Sequence, residues 1–243
     1  MENINKVITI QTYIRKWLST SIYPRLSNNT HIKNKFEQEI KGYHLLNETP
    51  IKESVWEEIN CNIVKDICKI SDCAYGNHLS GKDNKFDNWN ISNKTTKVEN
   101  GKINMSSYRL SSVCNNKEPG NAIDIVREIE KRDSSFDYYS ILLREETEQQ
   151  LTYYWCLIPK HHHIFKLCSK TMKHRMGKIG KKKGDIVGWE DTYMDITFSM
   201  SSQLWYHCNM KDIKKYILYN TTVERIKPTI SYSDIFEIVT SSN

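Results

Sequence analysis

Asp83 and Lys94, with ten residues between them, are of the types that can hydrolyse a phosphodiester bond. Such hydrolysis needs a divalent cation that polarises the phosphate and activates water, and hard cations such as Mg²⁺ prefer oxygen ligands. Asp83 ends a turn-prone Gly-Lys-Asp segment, and Lys94 ends a Ser-Asn-Lys triplet in an extended run. Because residues two apart on a strand share a face, Ser92 and Lys94 point toward a place that Asp83 can reach from the neighbouring segment. The spacing therefore predicts a metal-dependent site with Asp83 as a ligand and Lys94 beside the water or the phosphate.

The stretch over residues 53–159 resembles the PD-(D/E)xK, or restriction-endonuclease-like, nuclease superfamily, and in particular its type II restriction endonucleases. The shared features are a helix that carries acids, the bend that ends in Asp83, the Ser-x-Lys triplet that ends in Lys94, and a following helix with further strands. The resemblance implies that Asp83 is the first metal-binding acid, that Lys94 is the catalytic lysine and that the cofactor is Mg²⁺. It also implies an enzyme that cuts double-stranded DNA as a homodimer, in which two active sites cut two strands.

The second metal-binding acid is missing from its usual place in that family, because Ser92 stands there. In the restriction enzymes that carry a Ser-x-Lys triplet, a Glu from a helix supplies the carboxylate. The resemblance therefore points to Glu58 on the preceding helix, with Glu128 on the following helix as the alternative. Lys97 is an alternative to Lys94, and only one of the two can face the metal because they fall on opposite strand faces. Ser92 also leaves open a noncatalytic module that binds nucleic acid or protein on a nuclease-like fold.

Hydroxyl and cationic side chains in two segments are suited to grip phosphates or the edges of bases. Residues 106–112 carry hydroxyls and one guanidinium, and residues 173–184 combine cations with glycines and can neutralise several phosphates. The alternatives are a solvated strand edge for the first segment and an ordinary surface loop for the second. The predicted nucleic-acid contacts are Ser92, Ser106, Ser107, Tyr108, Arg109, Lys173, Arg175, Lys178, Lys181, Lys182 and Lys183.

Apolar residues at helical spacing predict the helices that must position these side chains. The strongest pattern covers residues 53–70 and has three glutamates near its start, where the helix dipole favours anions. Further helices are predicted near 31–42, over 120–132 and over 211–219. Residues 4–22 form a predicted basic amphipathic helix.

Extended runs between these helices predict a sheet, and Asn100-Gly101 supplies the positive φ angles of a tight hairpin between its first two strands. The expected fold is α/β, with a central mixed β-sheet flanked by helices. It is divided into an N-terminal helical segment and connector over 1–52 and a nuclease-like domain over 53–243. Residues 231–240 fit either a helix or a strand. Strands are predicted over 86–98, 102–113, 136–144, 151–159, 196–200 and 204–208.

The amphipathic helix near the start of the chain suggests a second kind of partner. Its residues 10–15 resemble the first half of a calmodulin-binding IQ motif, although Thr20 stands where a basic residue is expected. Such a helix either docks on a calmodulin-like partner through residues 10–23 or packs on its own domain, which is the commoner outcome.

The composition is that of a soluble globular protein with a mild positive charge. Lys and Arg number 35 against 29 Asp and Glu, and the net charge of +6 suits a polyanionic partner but also fits many ordinary proteins. The 243 residues are enough for one compact domain with appended segments. Because no run of about 18 apolar residues and no signal-peptide pattern occurs, neither membrane spanning nor secretion is expected.

Seven cysteines without a Cys-x-x-Cys pair argue against a disulfide framework and favour reduced thiols in an intracellular compartment, the cytoplasm or the nucleus. Cys61, Cys68, Cys73 and His78 could hold a metal, but free cysteines with this spacing are more often small core residues. The three consecutive histidines at 161–163 point alternately, and a structural or surface role is expected for them.

Overall fold

The computed structural model describes residues 22–71, 82–178 and 183–225. These residues form a large mixed β-sheet flanked by helices, which confirms the predicted fold class. Residues 231–240 and the predicted helix over 4–22, with its IQ-like motif, lie outside the described residues apart from the last residue of that helix. None of the described helices combines the length and apolar character that a membrane crossing needs. The helices are α1 (Ile22–Leu26), α2 (Thr30–Leu46), α3 (Glu53–Val64), α4 (Ala122–Asp133) and α5 (Met210–Ile213).

The sheet has eleven strands within the described residues. Several strand boundaries agree with the sequence prediction to within two or three residues. The strands are β1 (Ile70–Ser71), β2 (Asn84–Phe86), β3 (Trp89–Glu99), β4 (Lys102–Arg109), β5 (Tyr138–Glu146), β6 (Gln150–Pro159), β7 (Lys173–Met176), β8 (Ile186–Asp191), β9 (Met194–Thr197), β10 (Gln203–Asn209) and β11 (Ile217–Glu224).

The strand order places β3 near the middle of the sheet. The order is β11-β6-β5-β3-β4-β10-β9-β8-β7, and β2 pairs with the start of β3 and with β1. β3 and β5 run parallel, and the connection between them passes through β4 and α4. The other paired strands are antiparallel, for example β5 with β6 and β4 with β10. The sheet is therefore mixed, as predicted.

The predicted hairpin between β3 and β4 is confirmed. Asn100 and Gly101 have φ angles of 53° and 73°, and β4 begins directly after them. Two consecutive residues with positive φ match the twist of a two-residue hairpin, and Asn-Gly is the pair that adopts it most readily. This local signal is strong enough to be read from the sequence.

Each face of the sheet carries its own hydrophobic core. One core contains Trp56 and Ile63 of α3, together with apolar residues of α1, α2 and β11. The other core contains Ile129 of α4, together with residues of β4, β9 and β10. Consecutive residues of β5 alternate between the two, with Ile141 in the core of α4 and Leu142 in the core of α3. The alternation identifies the face on which each side chain of the neighbouring β3 lies.

Three predicted elements differ from the structure. The helix predicted over 53–70 ends at Val64, because Ile70 instead pairs with Phe86 between β1 and β2. The helix predicted over 211–219 consists of α5 and a short 3₁₀ turn, and the chain is already strand β11 from Ile217, paired with β6. The basic segment over 173–184, for which no strand was predicted, begins with strand β7, which pairs with β8.

The described part of the predicted N-terminal segment and connector, residues 22–52, packs on the same core as α3. Ile22 of α1 and Phe36 of α2 are fully buried in that core. The ring of Phe36 lies 6.4 Å from that of Trp56 and 5.9 Å from that of Trp155 on β6. These helices therefore hold α3 against the sheet from behind.

Candidate active site

The central strand β3 has a gap in its backbone pairing on one side. β5 pairs with β3 along residues 91–97. On the opposite side, β2 pairs with residues 89–91 and β4 pairs with Val98 and Glu99. Within the described ranges no strand pairs with residues 92–97 on that side. Backbone groups and side chains can therefore meet at this open edge in the interior of the sheet.

Asp83 lies at the end of the gap next to β2. Its backbone N–H donates to the carbonyl of Ile91 at 2.9 Å, and its carboxylate Oδ2 accepts the backbone N–H of Asn93 at 2.5 Å. Burial raises the pKa of Asp83, while the charge of Lys94 and the hydrogen bonds from Asn93 and the Ser92 side chain act in the opposite direction. A carboxylate thus takes the place that a partner strand would occupy.

Lys94 is buried, and its Nζ donates to Oε1 of Glu53 at 2.7 Å. In the register with β5, Lys94 lies beside Ile141, whose side chain is in the core of α4. Glu53 begins α3, which covers the other face of the sheet. The contact therefore crosses the edge of β3, which the gap in the ladder permits.

Glu57, one turn after Glu53 on α3, belongs to the same site. Burial and the negative charges of Asp83 and Glu53 raise its pKa to about 7, although the positive charge of Lys94 acts in the opposite direction. Each of these charges must lie close to Glu57 to act on it. We call Glu53, Glu57, Asp83 and Lys94 the acid–lysine cluster.

Glu58, the glutamate preferred from the sequence, is not brought to the acid–lysine cluster. Glu58 is exposed, because it is turned by about 100° around the axis of α3 from the half-buried Glu57. The buried face of α3 contains Trp56, Asn60 and Ile63, and Glu53 and Glu57 flank that face at helical spacing. The helical periodicity of this segment was the signal that favours Glu57 over Glu58.

The two alternatives from the sequence also lie in other surroundings. Glu128 on α4 accepts a hydrogen bond from Arg132 at 2.7 Å. Lys97 is exposed and forms ion pairs with Glu99 and Glu146, at 3.2 and 3.9 Å. The structure therefore brings Lys94, and not Lys97, to the cluster.

Three of the predicted nucleic-acid contacts make hydrogen bonds within the protein. Ser92 is buried, and its hydroxyl is bonded to Asp83. The hydroxyl of Tyr108 lies 2.6 Å from Asp133 Oδ1. Arg175 is half-buried and donates to Asp195 Oδ2 at 2.8 Å.

An irregular register explains the orientation of Tyr108. The pairing of β4 with β10 shifts between Gln203 and Trp205, so β4 contains an extra residue there. Such a bulge turns neighbouring side chains to one side. Tyr108 packs against the core of α4, and the buried Ser107 hydroxyl lies beside the hydroxyl of Tyr139.

The remaining predicted contacts are at the surface or outside the described residues. Ser106 is half-buried, whereas Arg109 is exposed. Lys173, Lys178 and Lys183 are exposed on and around the β7–β8 hairpin. The last two residues of the prediction, Lys181 and Lys182, lie outside the described residues.

The cysteines and histidines agree with core and surface roles. Cys68 is buried and Cys61 is half-buried, whereas Cys73 and His78 lie outside the described residues. Among the consecutive histidines, His162 is buried, and burial lowers its pKa to about 4.

The acid–lysine cluster contains carboxylate oxygens, the kind of donor that Mg²⁺ prefers. Throughout residues 22–71, 82–178 and 183–225, no three His, Cys, Asp or Glu side chains stand close enough to enclose a metal. Mg²⁺ commonly binds through only one or two carboxylates and retains several waters. Asp83 and Glu57 offer two carboxylates that repel each other, and a cation between them would neutralise the excess negative charge.

No protein-family model, curated protein or solved structure matches the chain. The acid–lysine cluster, with the strands and the helix that carry it, is therefore the basis for a proposed function.

Proposed function

We propose that this protein is a Mg²⁺-dependent endonuclease that hydrolyses double-stranded DNA at specific sites, as restriction enzymes do. The observation that carries the proposal is the contact of Lys94 with Glu53, together with Asp83 bound at the unpaired edge of β3 and Glu57 one turn along α3. Clustered acids with one lysine, held at a break in a mixed sheet, are suited to phosphodiester hydrolysis.

Each member of the cluster has a distinct role in the proposed reaction. Asp83 and Glu57 would hold Mg²⁺, and the ion would polarise the phosphate and lower the pKa of a coordinated water. Lys94 places its ammonium beside the attacked phosphate and stabilises the negative charge that develops there. Glu53 holds that ammonium in position through the 2.7 Å hydrogen bond.

The charge of the whole chain supports a polyanionic substrate. The net charge is +6, and Lys173, Lys178 and Lys183 are exposed around the β7–β8 hairpin. Exposed lysines can neutralise backbone phosphates without reading the base sequence. A homodimer would present two acid–lysine clusters, one for each strand of the duplex.

The test is incubation of the protein with mixed duplex DNA and Mg²⁺. Discrete fragments are expected from the wild-type protein, a smear would indicate cleavage without site specificity, and RNA is included as a competing substrate. Asp83→Ala is expected to abolish the Mg²⁺-dependent cleavage and to leave DNA binding largely intact, because the metal ligand is lost while the basic surface remains. Unchanged cleavage by Asp83→Ala would remove the assignment.

A noncatalytic module that binds nucleic acid or protein is the second candidate. Two observations favour it: Ser92 stands in place of an acid, and the ammonium of Lys94 is already bonded to Glu53. DNA binding that is independent of Mg²⁺, without any cleavage across a range of duplexes, would support this candidate against the first.

A further inference from the structure

Three buried asparagines form a chain of hydrogen bonds directly behind the acid–lysine cluster. Asn60, Asn84 and Asn93 are each at most 3% exposed. Asn60 Nδ2 donates to Asn93 Oδ1 at 2.6 Å, and Asn93 Nδ2 in turn donates to Asn84 Oδ1. We call these three residues the asparagine clamp.

Each asparagine lies on an element that carries a member of the cluster. Asn60 is on α3, three residues after Glu57. Asn84 begins β2, directly after Asp83, and Asn93 on β3 directly precedes Lys94. The clamp therefore connects the helix and the two strands whose side chains must meet.

The clamp lies where the backbone pairing between β2 and β3 ends. β2 pairs with β3 only up to Ile91, and among the described residues no backbone hydrogen bond joins α3 to either strand. The Asn93 side chain lies on the α3 face and bridges to Asn84. Its own backbone N–H bonds Asp83 at the open edge of the strand. One residue thus holds the Asp83 carboxylate through its backbone and the asparagine that follows Asp83 through its side chain.

The clamp is anchored to the most buried part of the sheet. Asn60 Nδ2 also lies 2.8 Å from the hydroxyl of Ser140 on β5, which accepts the indole N–H of Trp155 at 2.9 Å. The indole N–H of Trp56 donates to the carbonyl of Ser140 at 3.1 Å. These bonds fix α3 against β5 at the level of the cluster.

The clamp is a poor choice for stability alone. The Asn60 Oδ1 atom is buried and has no partner among the described residues. Buried amides gain little net stability over well-packed apolar side chains, and an unpartnered acceptor is unfavourable. The benefit of such a network is a defined geometry, because directional bonds allow one arrangement where apolar packing allows several.

We propose that Asn60, Asn84 and Asn93 are positioning residues that set the spacing of Glu57, Asp83 and Lys94. The inference rests on the proposed nuclease function for its catalytic consequence. The positional effect itself does not need catalysis to be observed. None of the three asparagines is assigned to contact the substrate or the metal.

The first test measures cleavage by Asn93→Leu and Asn84→Leu, which keep the branched shape of the side chain and remove its hydrogen bonds. The kcat is expected to fall about 10-fold or more, and the half-saturating Mg²⁺ concentration to rise, while KM for DNA changes less than about twofold. Thr221→Val, a buried polar-to-apolar change on β11, is the matched control and should cleave at the wild-type rate. Clamp variants that cleave and respond to Mg²⁺ as the wild type does would overturn the positioning role.

The second test does not depend on activity. Hydrogen exchange of the Asn93 backbone amide reports its bond to Asp83, and the exchange is expected to be at least about 10-fold faster in Asn84→Leu. The amide of Leu142 on β5 serves as the internal control and should exchange at its wild-type rate. Unchanged exchange at Asn93 would overturn the inference even if the protein cuts DNA. Accelerated exchange in a protein that does not cut DNA would refute only the nuclease function.

Discussion

Glu57 is the residue whose surroundings are hardest to explain by folding alone. It is half-buried beside two other carboxylates, and its pKa is raised to about 7 by burial and by their charges. Crowded like charges disfavour the folded state, and groups with such perturbed pKa values are concentrated at functional sites. Its neighbour Glu58 has the same chemistry but is exposed. The two glutamates therefore form a natural pair for mutation.

The first prediction compares Glu57→Gln with Glu58→Gln. Glu57→Gln is expected to lower kcat/KM for DNA cleavage at least about 100-fold, because it removes a proposed metal ligand. Glu58→Gln should stay within about twofold of the wild type, because substitutions of exposed residues are usually mild. The measurement is cleavage of a single duplex at several Mg²⁺ concentrations.

The same pair separates lost function from lost folding. Glu57→Gln relieves the repulsion from Asp83 and Glu53, so its melting temperature without Mg²⁺ should equal or exceed that of the wild type. Equal cleavage by the two variants would contradict the assignment of Glu57.

The second prediction concerns Asp133 at the end of α4. Burial raises its pKa to about 6, while the hydroxyl of Tyr108 and the charge of Lys160 act in the opposite direction, and Glu130 adds to the rise. Because the folded-state pKa exceeds the unfolded value, the folded state holds the proton more tightly. The resulting stabilisation is complete below the unfolded pKa and is lost as the pH rises through about 6.

Asp133→Asn cannot titrate and is the reference for this effect. The free energy of unfolding of the wild type, minus that of Asp133→Asn, should fall by about 1 to 3 kcal/mol between pH 4 and pH 7. Urea denaturation of both proteins across that range measures the difference. A difference that does not change with pH would contradict the buried environment of this carboxylate.

At the scale of elements, the features that depend on local sequence were predicted well. The features that depend on pairing with distant strands were not. The β3–β4 hairpin follows from Asn100 and Gly101, whose backbone preference is local. The first three residues of strand β11, 217–219, were predicted as the end of a helix, because only the pairing with β6 selects the extended conformation there. The gap along β3 depends on where β2 and β4 leave the strand, which no local pattern encodes.

The candidate site shows the same division. Asp83 and Lys94 were predicted from residue type and spacing, and both lie at the open edge of β3, because their positions follow from a strand and the bend before it. Glu57 was missed in favour of its neighbour, although the apolar face of the helix contained the information. The contribution of Glu53 could not be predicted, because its bond to Lys94 crosses the open edge of β3.

The third prediction tests backbone conformation in two elements with the same substitution. Gly101 has a φ angle of 73°, which a side chain strains, so Gly101→Ala should destabilise the protein by about 1 kcal/mol. Gly42 lies in α2 with open space around its Cβ position, so Gly42→Ala should stabilise it by about 1 kcal/mol. Urea denaturation gives both values, and shifts of the same sign would contradict the turn geometry.

The whole molecule combines a small positive net charge with a negatively charged site. The net charge is +6, whereas the acid–lysine cluster contains three carboxylates and one ammonium. Under the proposed function, attraction of DNA must therefore come from surfaces away from the cluster, such as the β7–β8 hairpin. Mutations of the exposed lysines should then affect DNA binding, and mutations of the cluster should affect cleavage.

The fourth prediction separates the two by salt dependence. Replacing Lys173 and Lys178 with alanine should reduce the slope of log affinity against log salt by about 2, because each lysine neutralises one phosphate. The kcat at saturating DNA should change little. The control replaces Lys33 and Lys41 on α2, which lie beside Glu37, and should leave the slope unchanged. Binding titrations at several salt concentrations without Mg²⁺ measure the slope. Equal slopes for the two variants would show that DNA does not bind at the β7–β8 hairpin.

The break in the β3 ladder also bears on how the protein behaves at high concentration. Bare strand edges are templates on which other chains add and aggregate, and proteins commonly protect them with charges. Here Asp83 caps one amide of the bare stretch, and a lysine and two further carboxylates lie beside it. An incoming strand would have to bury these charges, so the groups proposed for hydrolysis also discourage self-association at the unpaired stretch of β3.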